Sequence, residues 1–111
     1  MIFYFSATGN SKHAAEVIAE KTGDTAIDIV DALKNGIPEN KTDKTGFVFP
    51  VYFWGLPEII KRFASLPEVK NSLGKHVFAV ITCGANTGTA DKMLEKLIGR
   101  KLDYCYSLRM P

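Results

Sequence analysis

Cysteine is scarce in this chain, charge is nearly balanced, and long apolar runs are missing; each shortage removes a class of protein. The two cysteines, Cys83 and Cys105, are too few for a disulfide framework and lack the spacing of metal ligands. They are expected as free, largely buried thiols in a reducing compartment. Fourteen Lys and Arg against twelve Asp and Glu leave a formal net charge of +2. That is too weak to argue for nucleic acid or for an anionic membrane as a partner. The opening Met1-Ile2-Phe3-Tyr4-Phe5 has no basic flank and only a short apolar run, unlike a signal peptide. No stretch approaches the roughly 20 apolar residues that span a bilayer, so a soluble cytoplasmic protein is expected. Internal repeats and low-complexity segments are also lacking.

What is present is enough for a core. The 111 residues, 46% hydrophobic and 23% charged, fit one domain covering 1–111. The core is expected to be modest, because a chain of this size buries only about 60–70% of its unfolded surface.

Short apolar runs and helical repeats alternate along the chain. Ile2 to Phe5 reads as a buried strand that stops at a Ser/Thr/Gly/Asn cluster. Ala14, Val17 and Ile18 then recur at helical spacing, opposite Lys12, Glu16 and Glu20, as far as about Thr22 and Gly23. Thr25 to Val30 supplies a second strand, and residues 31–45, polar and broken by Gly36 and Pro38, are expected to hold a single helical turn. Gly46 to Val51 is a third strand, and Leu56 to Ser65 a helix through Ile59, Ile60 and Phe63. Val77 to Ile81 is a fourth strand, stopped at Thr82-Cys83-Gly84. Ala90, Met93, Leu94, Leu97 and Ile98 mark the cleanest amphipathic helix. Finally Leu102, Tyr104, Tyr106 and Leu108 alternate with Asp103, Cys105 and Ser107, the pattern of a strand with one well-buried face. Strands and helices in alternation, with apolar central strands, imply a parallel sheet covered by helices on both faces and right-handed crossovers.

In such a sheet ligands bind beyond the carboxyl ends of the strands, and three loops leave those ends. The first is Ser6-Ala7-Thr8-Gly9-Asn10-Ser11. Backbone N–H groups at a helix start favour an anion. Ser6, Thr8 and Ser11 add hydroxyl donors, and Gly9 lets the backbone approach closely. A plain turn with a Ser or Asn cap accounts for the same residues. The loop lacks the Gly-Lys-Ser/Thr ending of a Walker A motif and the paired glycines of a dinucleotide fingerprint. The second loop is Pro50-Val51-Tyr52-Phe53-Trp54-Gly55-Leu56-Pro57, where three adjacent aromatics are costly to leave in water unless something flat covers them or the next helix packs on them. The third is Thr82-Cys83-Gly84-Ala85-Asn86-Thr87-Gly88. Cys83 has neither a partner cysteine nor a basic neighbour in sequence to support a redox role. His13 and His76 read as surface residues.

The first loop resembles the flavodoxin phosphate loop, Thr/Ser-x-Thr-Gly-x-Thr, with Ser6 and Ser11 standing where threonines are usual and so keeping the hydroxyls. More narrowly, the segments FYFSATGNS, VFPVYFWGLP and VITCG, in that order, resemble the flavodoxin half of bacterial flavodoxin–ferredoxin fusion proteins over essentially the whole chain. The resemblance implies an open twisted parallel sheet in the order 2-1-3-4-5 with helices on both faces, FMN as cofactor, and electron transfer as function. It implies that Ser6, Ala7, Thr8, Gly9, Asn10 and Ser11 hold the phosphate. Pro50, Val51, Tyr52, Phe53, Trp54 and Gly55 flank the ring, with Trp54 the first choice for stacking and the Gly55 peptide placed to meet N5. Thr82, Cys83, Gly84, Ala85 and Asn86 offer backbone groups to its pyrimidine edge.

That third loop lacks the tyrosine with which many relatives cover the outer flavin face, so another aromatic covers it or the face is open. No acid/base pair or nucleophile marks a catalytic centre, and a carrier passing electrons to a redox protein or a fused ferredoxin-like domain is implied. Free flavodoxin carriers are usually strongly acidic, which this chain is not. The alternatives are an NAD(P)H-dependent reductase of quinones or similar acceptors, and a domain of this fold that has lost its flavin. Relatives close with a helix after the fifth strand that this sequence does not contain. An uncovered last strand, lower stability and a homodimer are therefore expected.

Overall fold

The strand and helix signals fold, in a computed structural model that describes residues 1–6, 9–39, 42–51, 56–83 and 90–109, into a single five-stranded sheet. In chain order the elements are β1 (Ile2–Tyr4), α1 (Asn10–Thr22), β2 (Ala26–Asp28), α2 (Ile29–Asn35), β3 (Lys44–Pro50), α3 (Glu58–Ala64), α4 (Pro67–Asn71), β4 (His76–Cys83), α5 (Ala90–Ile98) and β5 (Tyr104–Arg109). The sheet order is β2-β1-β3-β4-β5 and every pairing is parallel, the expected 2-1-3-4-5 arrangement.

Register assigns the faces. Phe3 pairs with Phe47, Phe47 with Ala79 and Ala79 with Cys105, so these four share one face. Tyr4, Val48, Val80 and Tyr106 form the neighbouring row on the other face. The first face carries the larger core: Phe3, Phe47, Phe49 and Ile81 pack with Ile29 and Ala32 of α2, Ile60 and Phe63 of α3, Val69 of α4, and Leu94 and Ile98 of α5. The second face buries Ile2, Tyr4, Val48, Phe78 and Val80 against Ala15 and Ala19 of α1. Ser11, Ala15 and Ala19 recur four residues apart on α1 and are all buried, a row of small side chains that brings the helix close to the sheet.

Four expectations need correction. The second strand ends at Asp28, and Ile29 and Val30 begin a helix instead. Asp28 is its cap, accepting from the Val30 N–H at 2.8 Å, and Ile29 and Ala32 turn inward on helical spacing. Residues 31–45 accordingly hold more helix than a turn. The short α4, opened by Pro67 at a position favourable to proline, is not evident in the hydrophobic periodicity. The alternating stripe of β5 is not well buried: Tyr104 is 42% and Tyr106 57% exposed. Cys105 is free but exposed rather than buried, because β5 is the sheet's edge strand. The Cys83 side chain lies outside the described residues. As expected, His13 and His76 are exposed, and no helix among the described residues is long and apolar enough to cross a membrane.

Candidate functional site

The carboxyl ends of β1, β3 and β4 lie side by side in the centre of the sheet, so the three loops that leave them share one edge. Hydrogen bonds join their starting points. The Phe5 N–H donates to the Val48 carbonyl at 3.0 Å, carrying β1 one residue further along β3. The Val51 N–H donates to the Thr82 carbonyl at 3.0 Å, tying the second loop's start to the third's. The hydroxyls of Ser11 and Thr82 meet at 3.0 Å, across 71 residues of sequence. Ser11 is 2% and Thr82 4% exposed, so this bond is made out of water.

The first loop enters α1 through Gly9, whose φ of 94° lies in the left-handed region that a side chain resists. The Gly9 N–H donates to Ser6 Oγ at 2.8 Å, folding the loop back on itself. Among the described residues, no side chain caps α1. Each of the other four helices carries an acidic residue in its first turn, and α1 carries none. Its start therefore combines unpaired backbone donors and the positive end of the dipole with no carboxylate to compete. These are the requirements for seating a dianionic phosphate on neutral donors, and the residues present fit such a group. Lys12 and His13 follow on the exposed side of the helix. Nearby, burial raises the Tyr4 phenol above its ordinary value, with Asp28, Glu16 and Asp31 adding to the effect, so it stays neutral.

Of the residues expected at the site, the structure brings together Ser6, Gly9, Ser11, Pro50, Val51 and Thr82, with the backbones of Asn10 and Cys83. The Ser11 hydroxyl is also engaged with Thr82. Ala7, Thr8, Tyr52, Phe53, Trp54, Gly55, Gly84, Ala85 and Asn86 lie outside the described residues. The Ser11–Thr82 link is the feature that sequence reasoning misses, since nothing in either segment announces a partner 71 residues away.

Comparison with known proteins agrees with this architecture. A family model described as a flavodoxin domain matches residues 1–105. No curated protein matches the chain. Among solved structures, an assigned flavoprotein from Bacteroides uniformis superposes with a TM-score of 0.74 at 21% identity, over 98% of this chain and 88% of its own. A flavoprotein from Lactobacillus acidophilus, crystallised in complex with FMN, gives 0.74 at 16% identity, over 96% and 90%. An assigned flavoprotein from Bacteroides eggerthii gives 0.72 at 19% identity, over 99% and 87%. At these identities the likeness is one of fold.

Proposed function

The chain belongs to the flavodoxin domain family, and we propose that it holds FMN at the loop edge and passes electrons through it. One observation carries the reading. Among the described residues, the α1 start is the one helix start without a first-turn carboxylate, and it opens through Gly9 at the carboxyl edge of the central strands. The FMN carried by the Lactobacillus neighbour supports the choice of flavin.

When bound, FMN supplies the electron chemistry, and the protein supplies binding, orientation and electrostatics. The backbone donors at Asn10 and Ser11 receive the phosphate where Gly9 lets the chain approach closely, with the hydroxyls of Ser6, Thr8 and Ser11 around it. Pro50, Val51, Tyr52, Phe53, Trp54 and Gly55 form the wall for the ring, with Trp54 the stacking residue. Thr82, Cys83, Gly84, Ala85 and Asn86 supply the edge. The electrons pass to a redox partner protein or to a fused ferredoxin-like domain.

Titration with FMN and riboflavin tests the reading. FMN is expected to bind at least tenfold more tightly, the worth of roughly one charged hydrogen bond, and Trp54→Ala is expected to weaken both flavins. Equal affinity would remove the phosphate loop as the anchor. A net charge of +2, unlike that of strongly acidic carriers, keeps the NAD(P)H-dependent reductase in view. Steady-state NADPH oxidation with a quinone acceptor well above that of free FMN would establish it.

A further inference from the structure

We infer that Thr82, on β4, is a positioning residue for the phosphate loop, holding the Ser11 hydroxyl so that its proton is presented to the bound anion. This rests on the reading that the loop takes a phosphate. Two hydroxyls bring two protons, and the bond between Ser11 Oγ and Thr82 Oγ1 uses one of them. The other finds no acceptor among the described residues, although both side chains are almost completely buried. A buried donor left without an acceptor is costly.

Where such an acceptor would come from is set by the surroundings. Thr82 stands on the sheet face in the row of Phe78 and Val80, which is apolar. Ser11 stands in the first turn of α1, where the neighbouring backbone groups are donors. An anion at that turn satisfies both protons, with Thr82 donating to Ser11 and Ser11 donating to the anion. A chain of two hydroxyls polarised by a charge is stronger than either bond alone. It also fixes the start of α1 against the end of β4, the strand that feeds the third loop, so the phosphate and ring subsites keep one spacing.

The experiment is a titration of FMN and riboflavin against the wild type, Thr82→Val, Thr82→Ser, Ser11→Ala and the double variant Ser11→Ala/Thr82→Val. Thr82→Val is expected to lose about tenfold in FMN affinity and little in riboflavin affinity. Thr82→Ser is expected to restore FMN binding, and the double variant to lose no more than Ser11→Ala alone, because one chain of bonds is broken either way. Thr82→Val that binds FMN like the wild type, or loses both flavins equally, would overturn the inference. Should Thr82→Val not fold, Ser11→Ala and Thr82→Ser decide it by the same FMN-to-riboflavin ratio: loss of the ratio in the first and its retention in the second support the relay, and any other pattern overturns it. Failure of the phosphate reading looks different, since the wild type itself would then bind both flavins alike.

Discussion

On one face of the sheet Phe3, Phe47, Phe49 and Ile81 are sealed beneath four helices; on the other, Phe78 and Val80 run out from under α1 toward two tyrosines in contact with water. Both faces come from the same strands and the same alternation. What differs is cover. The first face has α2, α3, α4 and α5 to draw on, while α1 is the one helix that the described residues pack on the second. The edge strand β5 is left open on this side, while Phe78 and Val80 beside it on β4 stay buried. A groove of about 170 Å³ lies there, lined by Ile2, Ile18, Phe78, Val80, Tyr104 and Tyr106 among others. Alternation in sequence says which residues share a face; it does not say that anything will lie upon it.

The largest test of the comparison lies on the covered face. Phe47 is fully buried, its ring 6.1 Å from that of Phe3, which is itself 5.0 Å from Phe63. Phe47→Ala is expected to cost about 3–5 kcal/mol, measured by urea denaturation. A cost below about 1 kcal/mol would mean that the two faces are equally soft.

Next comes Gly46, which bridges the covered and open parts of the second face. A Cβ there would overlap the Phe78 ring, which lies stacked on Tyr104 at 5.2 Å and 14°. Gly46→Ala is expected to cost about 1–3 kcal/mol, less than a clash inside the sealed face would, because the ring can move into the groove. The paired variant Gly46→Ala/Tyr104→Ser tests that escape. Opening the groove further should recover part of the loss, and an additive loss would show that the ring is held from elsewhere.

A smaller effect on stability is expected at the open strip. Tyr104→Ser and Tyr106→Ser each remove a side chain that is already 42% or 57% exposed, so the cost should stay within about 1 kcal/mol. Their effect on association should be larger. β5 is an edge strand whose single charge is Arg109 at its end and which contains no proline, so most of its length lacks the usual protection against pairing with another chain. The wild type is expected to dimerise with rising concentration in light scattering, and the double tyrosine variant to remain monomeric. A monomeric wild type at high concentration would break the link between exposure and association.

These differences also show what the sequence could reveal. The parallel sheet and the loop edge were legible because Ile2–Phe5, Gly46–Val51 and Val77–Ile81 are apolar runs bounded by Gly, Pro or hydroxyl clusters, whereas the strand order came only with the resemblance to flavodoxins. The phosphate-type loop was legible because Gly9, with flanking hydroxyls, ends such a run. The β2–α2 boundary was not, since Ile27, Ile29 and Val30 suit a strand and only the Asp28 side chain turns the chain into a helix. The Ser11–Thr82 contact was not either, because a pairing across 71 residues exists only once β1, β3 and β4 lie side by side.

The smallest expected effect refines the boundary of the covered face itself. Cys105 is in register with Ala79 and so belongs to the side that α5 covers, yet at the edge it is exposed. Its thiol is nevertheless held above the ordinary value, first by partial burial and then by the carboxylates of Asp91 and Glu95 on α5. A raised thiol favours the neutral form in the folded protein. That contribution to stability is present below the unfolded value and fades as pH rises through the folded one. The same shift leaves less thiolate at pH 8, so Cys105 should alkylate more slowly than an unstructured cysteine despite its exposure. Residue-specific mass spectrometry in a Cys83→Ser background is the measurement. Glu95→Gln or Asp91→Asn should speed the reaction by removing a neighbouring charge, less than unfolding does, because burial is the larger cause. A Cys105 that reacts as fast as an unfolded peptide, and ignores both carboxylate variants, would place it beyond the reach of α5 and move the edge of the covered face inward to β4.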